Sequence, residues 1–316
     1  MISLTNPANL AALPPGQRLL TEGFHTLFYQ ELKEAAPQFS KIFTIKDSIK
    51  REETSLEYVG LTLAEEAVIG GPSEFESPLD GGTKSVKMLL FKRGFQVAEE
   101  DEEDDLYGPL GEIGKDLPKC FTRRTEALCS GYFANQFSST TGFDGLPIVS
   151  TSHPFPAGRR NVTTGATTWS NRPSVDSALS PETLGSLQTL LRQTRTREGM
   201  PAGLKGDTLV VPVELEKRAW ETMSSMYKAF TDTNEKNIWG SGGLWPIKVM
   251  AWEWLPSPKM YSLMDSASSP FEFYWRRRPQ FRAQTDINSG VKQFFGRMRC
   301  APNANDPRGI AATPGA

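Results

Sequence analysis

The stretch from Glu99 to Pro154 constrains the fold more than any other part of this 316-residue chain. It opens with seven consecutive acidic residues, 99–105. Behind them, apolar side chains recur mostly three or four positions apart, as on one face of a helix. They are Leu106, Leu110, Ile113, Leu117, Phe121, Leu128, Tyr132 and Phe133. At 1.5 Å per residue, a continuous helix over 103–137 would be about 50 Å long. The pattern therefore predicts a helical strut that spans a small domain.

Two features of this strut have alternative interpretations. Pro118 lies inside the helical pattern, where proline removes a backbone hydrogen bond, so it predicts a kink or a break and a point of flexure. The acidic run suits the start of a helix, because negative charge there complements the helix dipole. A divalent-cation site is the other interpretation of the acids, but it would need oxygen ligands that no other motif supplies.

Composition narrows the classes of function. The chain has 35 basic and 37 acidic residues and a net charge of −2, which predicts no strong attraction to nucleic acid or to an anionic membrane. No apolar run reaches the length of a membrane span, and the first residues lack a signal pattern, so we expect synthesis in the cytosol and no membrane partner. The odd number of cysteines, Cys120, Cys129 and Cys300, predicts buried or half-buried thiols and no disulfide framework.

The sequence pattern over 46–97 predicts two long strands that pair with each other and are joined by an irregular tip. The segment 41–60 alternates weakly, and we expect it to pair with 84–97 across a turn-rich tip. A two-stranded hairpin is marginal in water by itself. It therefore needs a surface to lie on, from the same chain or from another subunit.

The other segments divide into a mixed unit and a β-rich end. Ser180-Pro181 predicts a helix start, and helices alternate with strands over 180–265, which indicates a small α/β unit. The predicted helices are 16–35, 181–197 and 213–230, and the predicted strands are 207–212, 247–252, 260–264, 271–275, 281–285 and 291–300. We expect the tail, 302–316, to be loosely ordered.

Catalytic chemistry finds little support. Asp144, Ser150 or Ser152, and His153 are the residue types of a nucleophilic triad, but no nucleophile-elbow motif surrounds them. Neither a phosphate-binding loop nor metal-ligand spacing is present in the sequence. We therefore predict no enzyme activity, no catalytic residue, no cofactor and no metal site, with a hydrolase using 144–153 as the weakest alternative.

One basic cluster, Arg276-Arg277-Arg278 beside aromatic residues, has the composition of a nucleic-acid patch. Alternate residues of a strand point to opposite faces. The sequence therefore predicts that these arginines do not form one patch and serve in outward or intersubunit ion pairs.

Four segments in this order resemble the major capsid proteins of tailed bacteriophages with the Hong Kong 97-type fold, and are most similar to the Mu-like major head subunits. The segments are Glu99 to Gly108, Phe143 to Pro154, Leu184 to Arg197 followed by Asp207-Thr208-Leu209-Val210-Val211-Pro212, and Asp306-Pro307-Arg308-Gly309-Ile310. Each segment is a weak signal alone, and the order makes the likeness specific. The chain departs from the family pattern at 60–83 and 231–245.

The resemblance implies an α+β capsid fold with five parts. They are an N-terminal arm and helix at 1–45, an extended E-loop at 46–97, a peripheral domain at 98–144 and 266–305 that carries the long spine helix, an axial domain at 145–265, and a tail at 306–316. It also implies that the E-loop lies across a neighbouring subunit. We expect intersubunit contacts at Arg51, Glu53, Glu57, Lys84, Lys87, Lys92, Arg93, Arg276, Arg277 and Arg278, and flexure at Pro118.

The implied function is self-assembly into an icosahedral shell of pentamers and hexamers that encloses double-stranded DNA without sequence-specific binding. Scaffolding protein, portal and a decoration protein are the implied partners, and the location is the virion, assembled in the host cytoplasm. The near-neutral charge predicts a mixed or weakly acidic shell lining. An encapsulin-like protein compartment is the alternative with the same fold. Deleting 61–82 is predicted to leave soluble subunits and no shells.

Overall fold

The structure is a computed structural model that describes residues 15–34, 37–64, 66, 69, 75–77, 79–98, 109–225, 237–239, 245–286 and 291–316. Two long helices lie side by side: α1, Pro15–Glu34, and α2, Pro109–Ala134, which a short 3-10 turn at Asn135–Phe137 extends. Helix α2 is the predicted strut and continues through Pro118 without a break. The acidic run lies outside the described residues.

The first sheet covers these helices. Its strands are β1, Thr44–Asp47, β4, Leu89–Val97, β10, Phe271–Thr285, and β11, Lys292–Ala304, in the order β1-β10-β11-β4. Strand β1 runs parallel to β10, and the other pairs are antiparallel. The predicted strands 271–275 and 281–285 are thus one long strand, whose register shifts twice between Trp275 and Gln280. These shifts accommodate Pro279, which cannot donate a ladder hydrogen bond.

Aromatic side chains fill the space between the two helices and the sheet. Phe24 of α1 packs edge-on against Phe294 of β11, with ring centroids 4.9 Å apart. A Cβ on Gly296 would come within 2.3 Å of the Phe121 ring, so only glycine lets β11 approach α2 this closely. The buried Glu126 carboxylate of α2 accepts the Trp252 indole N–H at 3.0 Å. One continuous core therefore joins the strut to the sheet.

A second sheet forms a separate α/β layer. Its strands β7, Thr208–Val211, β8, Lys248–Ala251, β9, Tyr261–Met264, and β12, Ile310–Thr313, have the order β12-β9-β7-β8. Helices α3, Pro181–Gln193, and α4, Val213–Ser224, pack on it. The predicted start of α3 is confirmed, because the Ser180 and Thr183 side chains form a capping box with Pro181 in the first turn.

Two expectations about this layer are wrong. The C-terminal tail is not loose: Ile310, Ala311 and Ala312 are fully buried in β12, which pairs with β9. Residues beyond a proline-rich segment can still be ordered when a sheet edge pairs with them. Helix α3 ends at Gln193, before the predicted 197, because a tight turn bridges Arg195 and Pro201.

The hairpin, β2 at Glu52–Val59 and β3 at Leu79–Lys87, forms a two-stranded sheet of its own. The expected pairing of 41–60 with 84–97 holds only up to Lys87, because β4 leaves the hairpin and pairs with β11. Strands β5, His153–Pro154, and β6, Thr168–Trp169, form the remaining short sheet. The hairpin therefore projects from the first sheet and reaches toward the second layer.

Candidate assembly interface

The hairpin exposes apolar side chains that its own chain does not cover. Leu61 is 54% exposed and Phe75 is 96% exposed. Other large apolar residues exposed on the same segment are Leu56, Tyr58, Leu63, Ile69 and Leu79. Exposed apolar residues clustered on one element, unlike single ones scattered over a surface, mark an interaction site. The hairpin is therefore the leading candidate for an interface with another molecule.

A four-residue ion cluster fixes the hairpin to the second layer. We call Glu57, Arg197, Asp306 and Arg308 the root cluster. Arg197 Nε lies 2.9 Å from Glu57 Oε1, and its terminal nitrogen lies 3.0 Å from Asp306 Oδ2. Arg308 lies 2.9 Å from Asp306 Oδ1 and 3.7 Å from Glu57 Oε1. Two cations and two anions alternate, so each buried charge has opposite charge on two sides.

Further bonds hold the root cluster in place. Glu57 accepts the Gly82 N–H at 3.0 Å across the hairpin, and Glu198 accepts the Gly60 N–H at 2.7 Å. The Arg308 guanidinium lies over the Trp169 ring at 5.6 Å and donates to the Arg195 carbonyl. The base of the hairpin is therefore rigidly oriented, while its apolar surface stays exposed.

Burial and charge shift the pKa values of groups near the root. Burial opposes ionisation of Asp306, yet Arg308 and Arg197 outweigh it and lower the pKa of that carboxyl. Burial lowers the pKa of Lys84 to about 8. Its ammonium donates to the carbonyls of Thr141 and Ala304, the latter at 2.9 Å. Lys84 thus joins the hairpin to the end of the first sheet.

The predicted contact residues fall into two groups. Glu57 and Lys84 use their charged ends within the chain, and Glu53 bonds to Ser48 at 2.5 Å. Arg278 pairs with Asp47 at 3.2 Å on the surface. The other six have no ion pair recorded within the described part of the chain; Arg51, Lys87, Lys92 and Arg93 are exposed, and Arg276 and Arg277 are half-buried. Contact of any of these with a neighbour stays a prediction.

Sequence reasoning did not assign Arg197, Asp306 and Arg308 to a site. Their numbers are far from Glu57, and only the fold brings these three chain segments together. A signal was present for two of them, because Asp306-Pro307-Arg308-Gly309 was one of the segments that resembled the capsid family. Asp306 also caps its own turn by accepting the Arg308 N–H at 3.2 Å.

The segment 144–153 is built as a structural junction. His153 is fully buried, with Nδ1 2.5 Å from Asp144 Oδ2 and Nε2 3.2 Å from Asn171 Oδ1. Asn171 also donates to the Ile148 and Pro307 carbonyls. Neither ring nitrogen of His153 bonds to a serine hydroxyl, so the geometry of a nucleophilic triad is not formed here.

Two further kinds of site, a metal centre and a membrane-spanning helix, are not found among the described residues. Over the described ranges, no group of three or more His, Cys, Asp or Glu side chains could hold a metal ion. None of the helices that the structure describes is long and apolar enough to cross a membrane. Burial raises the pKa of the Cys300 thiol to about 12, and Cys120 is an exposed free thiol.

Solved structures with this arrangement are capsids and related particles. The procapsid protein of bacteriophage JBD30 matches with a TM-score of 0.51 at 14% identity, covering 95% of this chain and 76% of that one. Microbacterium phage Oxtober96 matches at 0.56 and 10%, covering 89% and 91%. A virus-like particle from Pyrococcus furiosus matches at 0.51 and 10%, covering 92% and 98%. At such identities the likeness establishes the fold, an α+β capsid fold of the Hong Kong 97 type, as the sequence predicted.

The family of this chain is established by comparison of its sequence with family models. A model of the family described as phage capsid protein matches residues 84–313, well over half of the chain. The chain belongs to the phage capsid protein family, and its place is the capsid of the virion. A comparison with curated protein sequences returns no match.

Proposed function

We propose that this capsid protein is the major head subunit of a tailed phage. Copies associate as pentamers and hexamers into an icosahedral shell that encloses double-stranded DNA. The observation that carries the proposal is the hairpin, whose base is fixed by the root cluster and whose apolar residues stay exposed in the part of the chain that the structure describes. A second copy supplies that cover when subunits pack around a symmetry axis.

The chemistry of the hairpin suits a subunit contact. Protein interfaces bury an apolar centre rich in aromatic and aliphatic anchors. Leu61, Leu63 and Phe75 are such anchors, presented on an element whose direction is already set. A pre-oriented arm loses less conformational freedom on binding than a free one, so each contact contributes more to association.

The remaining parts of the proposal extend from the family. The chain resembles Mu-like head subunits, and scaffolding protein, a portal and a decoration protein are its proposed partners during assembly in the host cytoplasm. Of the exposed predicted contact residues, Arg51, Lys87, Arg93 and Arg278 would meet acidic groups of neighbours. Such exposed pairs set register and orientation more than affinity.

Shell formation tests the proposal. We expect electron microscopy of the purified full-length protein to show uniform closed particles. In one variant, the turn Asn-Gly replaces residues 60–78, which keeps β2 paired with β3 and removes the apolar arm. This variant should give folded, unassembled subunits with an unchanged far-ultraviolet circular dichroism spectrum.

A matched control separates loss of the arm from loss of apolar surface in general. Val162 and Val175 are exposed and lie outside the hairpin, so changing both to Ser should leave shell assembly intact. Normal shells from the shortened hairpin would contradict the proposed role of this arm. Failure of both the wild type and the control to assemble would contradict the shell function itself.

A protein-filled compartment with the same fold is less well supported, because the matching family is that of phage capsid proteins. Packaged contents distinguish the two, since shells from infected cells should hold DNA and not a protein cargo. The capsid role also leaves no place for catalysis, and a purified subunit should not hydrolyse ester or peptide substrates.

A further inference from the structure

The outer face of the first sheet gathers cations from three strands. One face of β11 packs on the helices through Phe294 and Met298. The alternate residues, Arg297 and Arg299, point the other way and are half-buried. Lys92 of β4 lies directly opposite Arg297 in the ladder, and paired residues of neighbouring strands share a face. Both strands therefore place positive charge on the side away from the core.

Strand β10 adds three more arginines. Arg277 pairs with Arg299, and Arg282 pairs with Phe295, the residue two before Arg297 on β11. The first register shift of β10 lies between Trp275 and Arg277, so Arg276 is the extra residue of a bulge. Strict alternation had predicted that adjacent arginines would point apart. The bulge overturns this for Arg276 and Arg277, while Arg278 turns to Asp47.

We call this surface the basic face; its cations are Lys92, Arg276, Arg277, Arg282, Arg297 and Arg299. The six have no salt bridge recorded within the described part of the chain, and the residues between them in the ladder include Gln280, Gln284 and Gln293. Partial desolvation lowers the pKa of Arg299, and the charges of Arg276, Arg277 and Arg51 lower it further. Desolvation, Arg282 and Arg277 do the same for Arg297. The cations therefore repel one another, and no carboxylate of the described residues pairs with them.

Two donors on this face have no acceptor. The Nε atoms of Arg297 and Arg299 are buried and make no hydrogen bond in the described structure. A guanidinium presents its donors as a planar fork that fits the oxygens of a phosphate or carboxylate. An oxyanion bound at this face would accept from the terminal nitrogens of these guanidinium groups, which are not buried, and would offset the repulsion between the arginines.

We infer that the basic face binds the phosphate backbone of the enclosed nucleic acid, which rests on the proposed capsid function. Its composition favours DNA over a protein partner. Protein interfaces are depleted of charge at their centre and carry apolar anchors, whereas the residues around Arg297 on this face are mostly cations and glutamines, with Leu90, Gly94 and Phe295 among them. Tyr274 and Ala301, at the hairpin end of the face, already pack against Met88. Phosphate contacts need no base recognition, so this binding is independent of sequence. The near-zero total charge concealed this local concentration of positive charge.

The test measures binding of the full-length, unassembled subunit to a mixed-sequence 25-base-pair duplex by fluorescence anisotropy between 50 and 300 mM NaCl. Changing Arg297→Gln together with Arg299→Gln removes two phosphate contacts. We expect the slope of log K against log salt to fall by about 1.8 and affinity at low salt to fall about tenfold or more. Lys92→Gln with Arg282→Gln, on the same face, should act in the same direction.

A control variant removes the same charge elsewhere. Lys115→Gln with Arg123→Gln lies on the solvent side of α2, where Lys115 pairs with Glu112, and should change affinity less than twofold. An equal loss in this control would overturn the inference, as would no duplex binding by the wild type. Tighter binding to poly-glutamate than to duplex would assign the face to an acidic protein instead. If shells assemble normally but the subunit ignores DNA, the inference fails and the proposed function stands.

Discussion

The hairpin and the α/β layer both carry large apolar side chains, but they differ in whether these side chains are buried. In the α/β layer, Leu184, Leu187 and Leu209 are fully buried between α3 and the sheet. In the hairpin, Leu56, Tyr58 and Leu79 remain exposed although β2 and β3 pair with each other, and so do Leu61, Leu63 and Phe75 between the two strands. Backbone pairing alone does not bury apolar side chains, because a two-stranded sheet offers no second layer.

This difference in burial gives the apolar residues of the two regions different roles, one in the stability of the subunit and one in assembly of the shell. The α/β layer buries its apolar residues within its own chain, so these residues stabilise the subunit. The apolar residues of the hairpin are buried only when another molecule packs on them, so they stabilise the shell. The root cluster lies where the two regions meet and determines the direction in which the hairpin points.

Shortening one leucine side chain in each region tests this comparison most directly. Leu187→Ala should lower the free energy of unfolding of the subunit by about 4 kcal/mol, because it leaves a cavity in a closed core. Leu61→Ala should change it by less than about 0.5 kcal/mol while weakening shell assembly. Urea unfolding of dissociated subunits gives both values, and a large loss for Leu61→Ala would show that the hairpin is covered by its own chain.

Breaking the root cluster should destabilise the subunit nearly as much. Glu57→Gln leaves Arg197 and Arg308 short of one buried counter-charge, so we expect a loss of about 3 kcal/mol. Asp47→Asn removes the partner of the exposed Arg278 and should cost less than about 0.5 kcal/mol. Thermal unfolding of both variants against wild type is the measurement. Equal, small losses would mean that the cluster does not hold the hairpin.

A smaller effect is expected in the strut. Pro118 is buried inside α2 and cannot donate to the carbonyl one turn earlier. Pro118→Ala should stabilise the subunit by about 2 kcal/mol, because it restores the missing N–H donor. Pro109→Ala, in the first turn where proline is tolerated, should have little effect. If the helix angle at Pro118 is the same in immature and mature shells, flexure there is not part of maturation.

The last expected effect is a pH dependence at the hairpin base. Burial lowers the pKa of Lys84 from its ordinary value of 10.5 to about 8 in the folded state. Between these values the unfolded chain binds more protons than the folded one, so stability from this group rises with pH across about 8 to 10.5. Lys84→Gln should remove that rise, and Lys87→Gln, on the exposed side, should keep it. An identical pH profile for wild type and Lys84→Gln would contradict the burial of the amine.

Local sequence signals predicted the positions of the helices better than they predicted which strands pair with each other. The 3.6-residue period marked α1 and α2, and Ser180-Pro181 marked the start of α3. The partner of β4 was missed because 84–97 looks like one alternating run. Nothing in that run shows that the chain changes sheets at Met88, whose N–H donates to the Arg51 carbonyl. In α4, Ala219 is buried whereas the large apolar Trp220 is 65% exposed, since the period of a helix alone does not fix its rotation against the sheet.

By itself, the sequence determined the class of fold, the long strut, the unsupported hairpin and the capsid family, because periodicity, turn residues and motif order are local properties. Only the tertiary structure decided which charges meet. Glu57, Arg197, Asp306 and Arg308 become one cluster, and six cations from three strands become one face, through pairing between residues far apart in the chain. Electrostatic energy depends on distances in space, and the sequence of a strand does not specify its neighbours.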